Sequence, residues 1–263
     1  MQRSFPRLRS ARDRLLGIVL LLLAWQAIHL AWGPFVLPSP LATLAALAAF
    51  VTEAEARTAL VRTAVAALGG FAAGSALGLV LGAVAGRSER VHDLLNPTVV
   101  TILAVPPIAW VVLALLWFGA SGWGAGLTAA LALMPLVFAA TVQGMRTLDA
   151  GLETMAAAFG AGPWTRLVAV RLPQVASHVV PALATAHGIA WKAVVMAEVL
   201  GAGAGLGAEL ATARAHLDLP RALAMVAIVV VVVLAVDAWV LDPLRRRVEA
   251  WREDRPPPGV PPC

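Results

Sequence analysis

Residues 94–145 read LLNPTVVTILAVPPIAWVVLALLWFGASGWGAGLTAALALMPLVFAATVQGM, 52 residues between Asp93 and Arg146 without one acidic or basic side chain. As a single helix this run would extend about 78 Å, whereas the hydrocarbon core of a bilayer is about 30 Å thick. The run therefore has to fold back on itself, and Gly119-Ala-Ser-Gly-Trp-Gly-Ala-Gly126 is the expected turn. Two spans result, one on each side of it.

Further apolar runs flank this pair. Thr63–Gly86 carries no charge and reads as the preceding span, and Leu15–Trp32 as the first, interrupted by Gln26 and His29. Leu15–Trp32 is longer than the apolar stretch of a signal peptide and ends in no small-x-small site, so a retained first span is expected. Downstream, Pro173–Leu200 and Arg221–Leu241 supply the fifth and sixth spans. In Leu37-Pro-Ser-Pro40, Ser39 suits a helix cap and Pro40 a first helical turn. Leu41, Leu44, Leu47 and Ala48 then recur at helical spacing, which predicts an interfacial helix. The composition agrees: 60% hydrophobic, 13% charged and a mean hydropathy of +0.83, against about a quarter charged for a soluble domain. The fold class expected is an all-α polytopic membrane bundle of about six transmembrane helices. A basic segment (1–14) precedes the transmembrane domain (15–244), and an Arg/Pro-rich tail (245–263) follows it.

Six spans place both termini on one side, and the positive-inside rule identifies that side. Fifteen arginines fall in the N-terminus, the 87–93 loop, the 146–171 loop and the C-terminus, but four (Arg57, Arg62, Arg214, Arg221) fall on the opposite side. Both termini and residues 146–172 of this multi-pass protein are therefore expected in the cytoplasm. Arginines that flank apolar runs set topology, so the net charge of +5 does not point to nucleic acid.

Within the spans, Gly70, Gly74, Gly78, Gly82 and Gly86 recur every fourth residue and form a groove that lets a neighbouring backbone approach. Pro106-Pro107 removes two backbone donors and should kink or break its helix, either as a pathway-lining bend or as a structural kink. Lys192, Glu198 and Asp237 are ionisable groups within apolar segments, where charge is costly and usually functional. Lys192 and Glu198 are six residues apart and do not share a helix face. Glu198 and Asp237 are equally compatible with hydrated span ends.

No enzyme signature emerges. His29, His178 and His187 are isolated from one another, which favours hydrogen-bonded bundle residues over a metal site. The single cysteine, Cys263, allows no intrachain disulfide. Gly201-Ala-Gly-Ala-Gly-Leu-Gly207 follows a span rather than a strand, so it reads as a flexible extracytoplasmic turn and not a nucleotide loop. No P-loop, Gly-x-Ser-x-Gly or His-Glu-x-x-His motif occurs. No cofactor or metal is expected on this chain. Two transport readings remain: a pore driven by a separate engine, or an ion-coupled secondary transporter or channel built on Lys192, Glu198 and Asp237.

The segment 149–173, DAGLETMAAAFGAGPWTRLVAVRLP, bears on that choice. Leu152, Met155 and Phe159 share one face of a short helix, Gly160 and Gly162 can end it, and Pro163 suits the start of another. Such a knob could enter a groove on a partner, and a merely solvated loop fits the same residues equally well. The segment resembles the EAA loop of ABC-importer permeases: Glu-Ala-Ala, three residues, Gly, nine residues, Ile-x-Leu-Pro. Ala156, Gly160, Val170, Leu172 and Pro173 keep that spacing, while Thr154 occupies the Glu position and Glu153 stands one residue early. Leu37-Pro-Ser-Pro40, Val105-Pro-Pro-Ile-Ala-Trp110, Leu116-Trp-Phe-Gly119, Ala197-Glu-Val-Leu200 and Gly205-Leu-Gly207 resemble the branch that imports nitrate, sulfonates, taurine, bicarbonate and pyrimidine precursors. The resemblance implies a permease dimer, here expected to be a homodimer, with an extracytoplasmic substrate-binding protein and ATP-binding subunits that carry ATP and magnesium. It also implies coupling through Leu152, Glu153, Met155, Ala156, Phe159, Gly160, Trp164, Leu167, Leu172 and Pro173.

Overall fold

A computed structural model describes residues 5–201, 203–244 and 246. The tail expected over 245–263 therefore lies outside the described residues except for Arg246. The described secondary structure is entirely helical. Helix α1 (Phe5–Trp32) starts inside the segment expected to be a separate basic N-terminus, and α2 (Pro40–Thr52) starts at the expected cap. Ser39 Oγ accepts the Ala42 N–H at 3.1 Å, with Pro40 in the first turn. At 13 residues α2 is about 20 Å long, too short to cross a bilayer.

Helix α3 (Ala54–Arg87) begins well before the expected Thr63. Glu53 ends α2, and the Ala-rich stretch after it has high helix propensity, so the charged residues Arg57 and Arg62 join the helix instead of a loop. Its 34 residues extend about 51 Å, more than the apolar core requires.

The uncharged run folds back with more structure than one turn. Helix α4 (Glu89–Ala104) and helix α5 (Pro107–Phe118) are bent by 92° at the Pro106-Pro107 break. Two consecutive prolines deprive the carbonyls of Ile102 and Leu103 of their helical donors, which stops α4 there. The return to α6 (Gly122–Arg146) takes only Gly119–Ser121, and Ser121 Oγ caps α6 by accepting the Gly124 N–H at 3.3 Å. The glycines at 122–126, expected in the turn, are helical instead. Gly126 lies against the Ala66 carbonyl, so its role is close packing. After α6 come α7 (Ala150–Ala158), α8 (Pro163–Arg166) and a wider π-type turn (Leu167–Arg171) that leads without a break into α9 (Leu172–Gly201). The two short helices expected between α6 and α9 are thus present, and the second continues into α9 instead of ending in a loop. Helix α10 (Leu206–Ala215), helix α11 (Leu219–Val236) and a second π-type turn (Asp237–Leu241) complete the described chain. Among the described residues, five helices are long and apolar enough to cross a membrane, or six if the bent α4–α5 pair is one span.

The bundle is organised around α6 and α9, whose most apolar windows are 61% and 56% buried, against 0% for α1. The glycine row of α3 runs along α6. A Cβ built on Gly70 would stand 2.5 Å from Gly126 O, on Gly74 2.6 Å from Ala130 O, and on Gly82 2.6 Å from Thr141 Cβ. The row continues through Gly78 against Val137 and Gly86 against Met145. Buried Thr128 and Thr141 return their hydroxyls to the carbonyls of Gly124 and Val137 at 3.0 and 2.7 Å, so α6 needs no external polar partner at either position. Helix α9 packs against both α6 and α3 and contributes Ala186, Ala190, Trp191 and Val194 to the core. Helix α1 is tethered by Trp25, whose Nε1 donates to Pro38 O at 2.8 Å, and by His29, whose Nδ1 lies 2.7 Å from Leu37 O. The short helix α2 packs on α11, and Arg221 joins Glu53 at 2.8 Å while its guanidinium lies over the Phe50 ring.

Substituting Gly74 with valine places carbon inside the α6 backbone and should lower stability by about 1–3 kcal/mol or prevent assembly. Gly69→Val, at a neighbouring position where an added Cβ meets nothing within 4 Å, should be close to neutral. Thermal unfolding of the detergent-solubilised variants distinguishes the two.

Candidate functional site

The segment between α6 and α9 is built by local capping and then pinned by charge. Asp149 caps α7, its Oδ1 accepting the Gly151 N–H at 2.8 Å and the Leu152 N–H at 3.4 Å. Its own N–H donates to Gln174 Oε1 at 2.9 Å, and Gln174 Nε2 donates to Val170 O at 2.9 Å, fastening the start of the segment to its end. Helix α7 closes on Gly160, which has φ +74°, a left-handed conformation that favours glycine. Gly160 N–H reaches Ala157 O at 3.0 Å and Ala161 N–H reaches Ala156 O at 2.9 Å, the paired bonds of a Schellman cap. Pro163 then opens α8.

Glu153 faces inward across this turn. Arg171 Nη2 donates to its Oε1 at 2.7 Å and Arg171 Nε to its Oε2 at 3.1 Å, while Arg166 Nη1 approaches Oε1 at 3.4 Å. The bidentate Arg171 guanidinium holds the Glu153 carboxyl below the ordinary carboxylate range, against partial desolvation, and Arg166 adds to the effect. Glu153 thus braces the segment internally, whereas Thr154, at the expected Glu position, is exposed and donates to Ala150 O at 2.8 Å.

What the segment presents outward is apolar. No residue of α7, α8 or the following turn is buried. Phe159 is 85% exposed and Trp164 74%, with Met155 and Leu167 also exposed, while Leu152, Ala156 and Pro173 are half-buried and Leu172 is exposed. The outward face is therefore Met155, Phe159 and Trp164, and Leu152 belongs to its base.

The second constellation is at the other end of α9. Glu198 is 7% exposed, so it does not occupy the hydrated span end allowed for it. Thr63 Oγ1 lies 2.9 and 2.8 Å from its two carboxylate oxygens, and Gly207 N–H donates to Oε2 at 2.9 Å. The Thr63 hydroxyl also accepts the Leu206 N–H at 2.8 Å. Leu206 and Gly207 open α10, so the carboxylate stands at a helix N-terminus, where backbone N–H groups and the helix dipole favour negative charge. Three elements meet there: α3 through Thr63, α9 through Glu198, and the start of α10. The glycine-rich segment expected as a flexible turn is thereby anchored at its far end. Spacing alone could not reveal this node, because Thr63 and Glu198 are 135 residues apart.

The remaining candidates are dispersed. Pro106 and Pro107 are exposed at the α4–α5 bend, and the glycine row serves the α3–α6 contact. Lys192 is exposed in mid-α9 and lines a cleft with Asp237. His187 packs edge-on to Phe71 and Trp191, and His178 Nδ1 lies 3.1 Å from Ser177 Oγ.

Residues 74–248 match the family described as binding-protein-dependent transport system inner membrane component. A Bacillus subtilis protein named as an aliphatic sulfonates transport permease, SsuC, is 30% identical over 167 residues, covering 64% of this chain and 60% of that one. The taurine transport system permease protein TauC of Escherichia coli is 27% identical over 125 residues, 48% of this chain and 46% of its own. The matches thus span about half to three fifths of these relatives. Among solved structures, an amino acid ABC transporter crystallised with histidines has the same fold, with a TM-score of 0.58 over 72% of this chain and 92% of that one at 19% identity.

Because its folded-state pKa is depressed, Glu153 stabilises the segment fully above the ordinary carboxylate range, about 4.3, and loses that contribution as pH falls through the depressed value. Protection factors for hydrogen exchange over 150–158, taken relative to the intrinsic rate at each pH, should fall on acidification. In Glu153→Gln they should already be lower at neutral pH, with no such acid limb. Separately, Glu198→Ala strands the Thr63 hydroxyl and the Gly207 N–H, at about 1–3 kcal/mol for each unsatisfied group. Glu198→Gln, which keeps an acceptor, should be milder in the same thermal-unfolding measurement.

Proposed function

The chain belongs to the family of binding-protein-dependent transport system inner membrane components, and we propose that it forms one half of an ATP-driven import pore, coupled to its engine through residues 150–173. As a member of that family it is a multi-pass inner-membrane permease subunit of an ABC importer for small solutes, without catalytic function of its own. Two copies would enclose the pathway, each docked on a cytoplasmic ATP-binding subunit that carries ATP and magnesium. A substrate-binding protein would deliver solute from the other side. The solute proposed is small: nitrate, a sulfonate, taurine or a pyrimidine precursor.

The observation that carries this reading is the outward face of Met155, Phe159 and Trp164 on a segment braced from within. Exposed aromatics on a rigid knob suit insertion into a partner's groove. The braced Schellman turn at Gly160 gives the knob one shape with which to transmit displacement. The ion-coupled alternative loses one of its three groups, because Glu198 is occupied in a buried structural node.

Phe159→Ala combined with Trp164→Ala should release the cognate ATP-binding subunit during purification in mild detergent while leaving the permease in the membrane. Gly160→Val, strained at φ +74°, should abolish uptake at normal expression. Normal uptake by Gly160→Val, or transport in the absence of any ATP-binding subunit, would overturn the proposal.

A further inference from the structure

Helix α9 is central, yet one stripe of it is open: Pro181, Thr185, Lys192, Met196 and Leu200 are all exposed. On α1 and α11 the open faces are leucine and valine, as lipid contact requires. The α9 stripe instead carries a threonine and the chain's single lysine. Lys192 lies about 13 Å along the helix from Gly201, well inside a core about 30 Å thick. An unpaired ammonium at that depth cannot face hydrocarbon without a large penalty, so the stripe faces water or protein.

Two grooves meet at Lys192. One, of about 420 Å³, is almost wholly apolar and includes Trp191, Met196 and Val230. The other, of about 280 Å³, is lined by Thr185, His187, Gly188, Lys192, Val233 and Asp237. Asp237 enters from the π-type turn that follows α11. Among the described residues neither Lys192 nor Asp237 makes a hydrogen bond or ion pair, although they are opposite charges on the walls of one cleft. His187 adds to this wall; it is 2% exposed, and its Nε2 has no hydrogen-bond partner. A buried polar nitrogen and two unneutralised charges around one cleft are a set of contacts awaiting a ligand of complementary polarity.

We propose that the cleft between α9 and α11 is a solute site on the translocation path and takes a small zwitterion, its anionic head at Lys192 and its ammonium group at Asp237. The proposal rests on the permease reading and narrows its solute class. A simple anion would meet the Asp237 carboxylate in the same cleft, and a simple cation would meet Lys192. A compact solute bearing a sulfonate or carboxylate at one end and a protonated amine at the other satisfies both walls.

The test maps the two poles with charged thiol reagents on the purified complex with its ATP-binding subunit, in a Cys263→Ser background that removes the native cysteine. Met196→Cys reports the Lys192 side and Thr185→Cys the Asp237 side. Labelling rates for an anionic (sulfonatoethyl) and a cationic (trimethylammonioethyl) methanethiosulfonate are normalised to a free thiol. The anionic reagent should be favoured at 196 and the cationic one at 185, each by about threefold or more, as expected for a unit charge some 7 Å away across water. Lys192→Gln should remove the first preference and Asp237→Asn the second. If either variant fails to assemble, the opposite preferences of the two reporters with Lys192 and Asp237 intact still decide. Absence of labelling at both positions, the same charge preference at both, or preferences unmoved by the variants would each overturn the proposal. Loss of the ATP-binding subunit from the unsubstituted complex would count against the permease reading instead.

Discussion

The approach of α3 to α6 is the constraint from which the remaining packing follows. In lipid, apolar side chains gain little by turning from acyl chains toward one another, so helices associate through close backbone contact and the dispersion it permits. Five glycines on one face of α3 let it lie against the carbonyls and Cβ atoms of α6 with no room for a methyl group. Helix α9 then packs against both members of this pair, with Val175 against Gly144 of α6 and Glu198 against Thr63 of α3. The position of α9 therefore depends on the surface that the α3–α6 contact creates.

Close packing of this kind tolerates polar groups only where their partners are built in. The threonines of α6 satisfy themselves on their own helix. Glu198 cannot, and its carboxylate is held by a hydroxyl from α3 and a backbone N–H from α10. Removing one partner from such a node costs more than the hydrogen bond contributes, because the remaining group stays buried and unpaired. The node therefore acts as a lock on the relative placement of three elements. At the opposite end Glu153 plays an analogous part in a wetter setting, where each contact is weaker and the brace comes from two arginines together.

Much of this was legible in the sequence because the bilayer imposes length and polarity rules that soluble folds lack. The uncharged run had to fold back, Pro106-Pro107 had to interrupt a helix, and the glycines at every fourth position had to face a close neighbour. The exposed knob followed from Pro163, Gly160 and the spacing of Met155 and Phe159. The failures share a cause. The turn expected over Gly119–Gly126 takes only Gly119–Ser121, and the turn over Gly201–Gly207 is packed instead of flexible, since a glycine chosen for close approach looks the same in one dimension as a glycine chosen for a bend. Glu198 was expected to be compatible with water because its partners, Thr63 and Gly207, become neighbours only through the tertiary fold. The displaced Glu153 was legible as a departure from the family pattern; its bond to Arg171, eighteen residues away, was not.

The placement of these features on a single helix has a mechanical consequence. From Pro163 the chain runs through α8, the π-type turn and α9 to Gly201 as 39 consecutive helical residues. The exposed Trp164 stands at one end, Lys192 in the interior and the Glu198 lock at the other. A load applied to the knob cannot be absorbed by a flexible loop, because Glu153, Gln174 and the Schellman turn tie α7 to the base of α9. The load can be relieved by tilting α9 about its locked end or by yielding at the wider π-type turn, where helical hydrogen bonding is irregular and such sites tend to be functional. In either case the open stripe moves relative to α11, and Lys192 moves relative to Asp237. A cleft whose two charges sit on separately anchored helices changes its grip on a dipolar solute as those helices shift, so force at the knob and affinity in the pore would be two readings of one displacement.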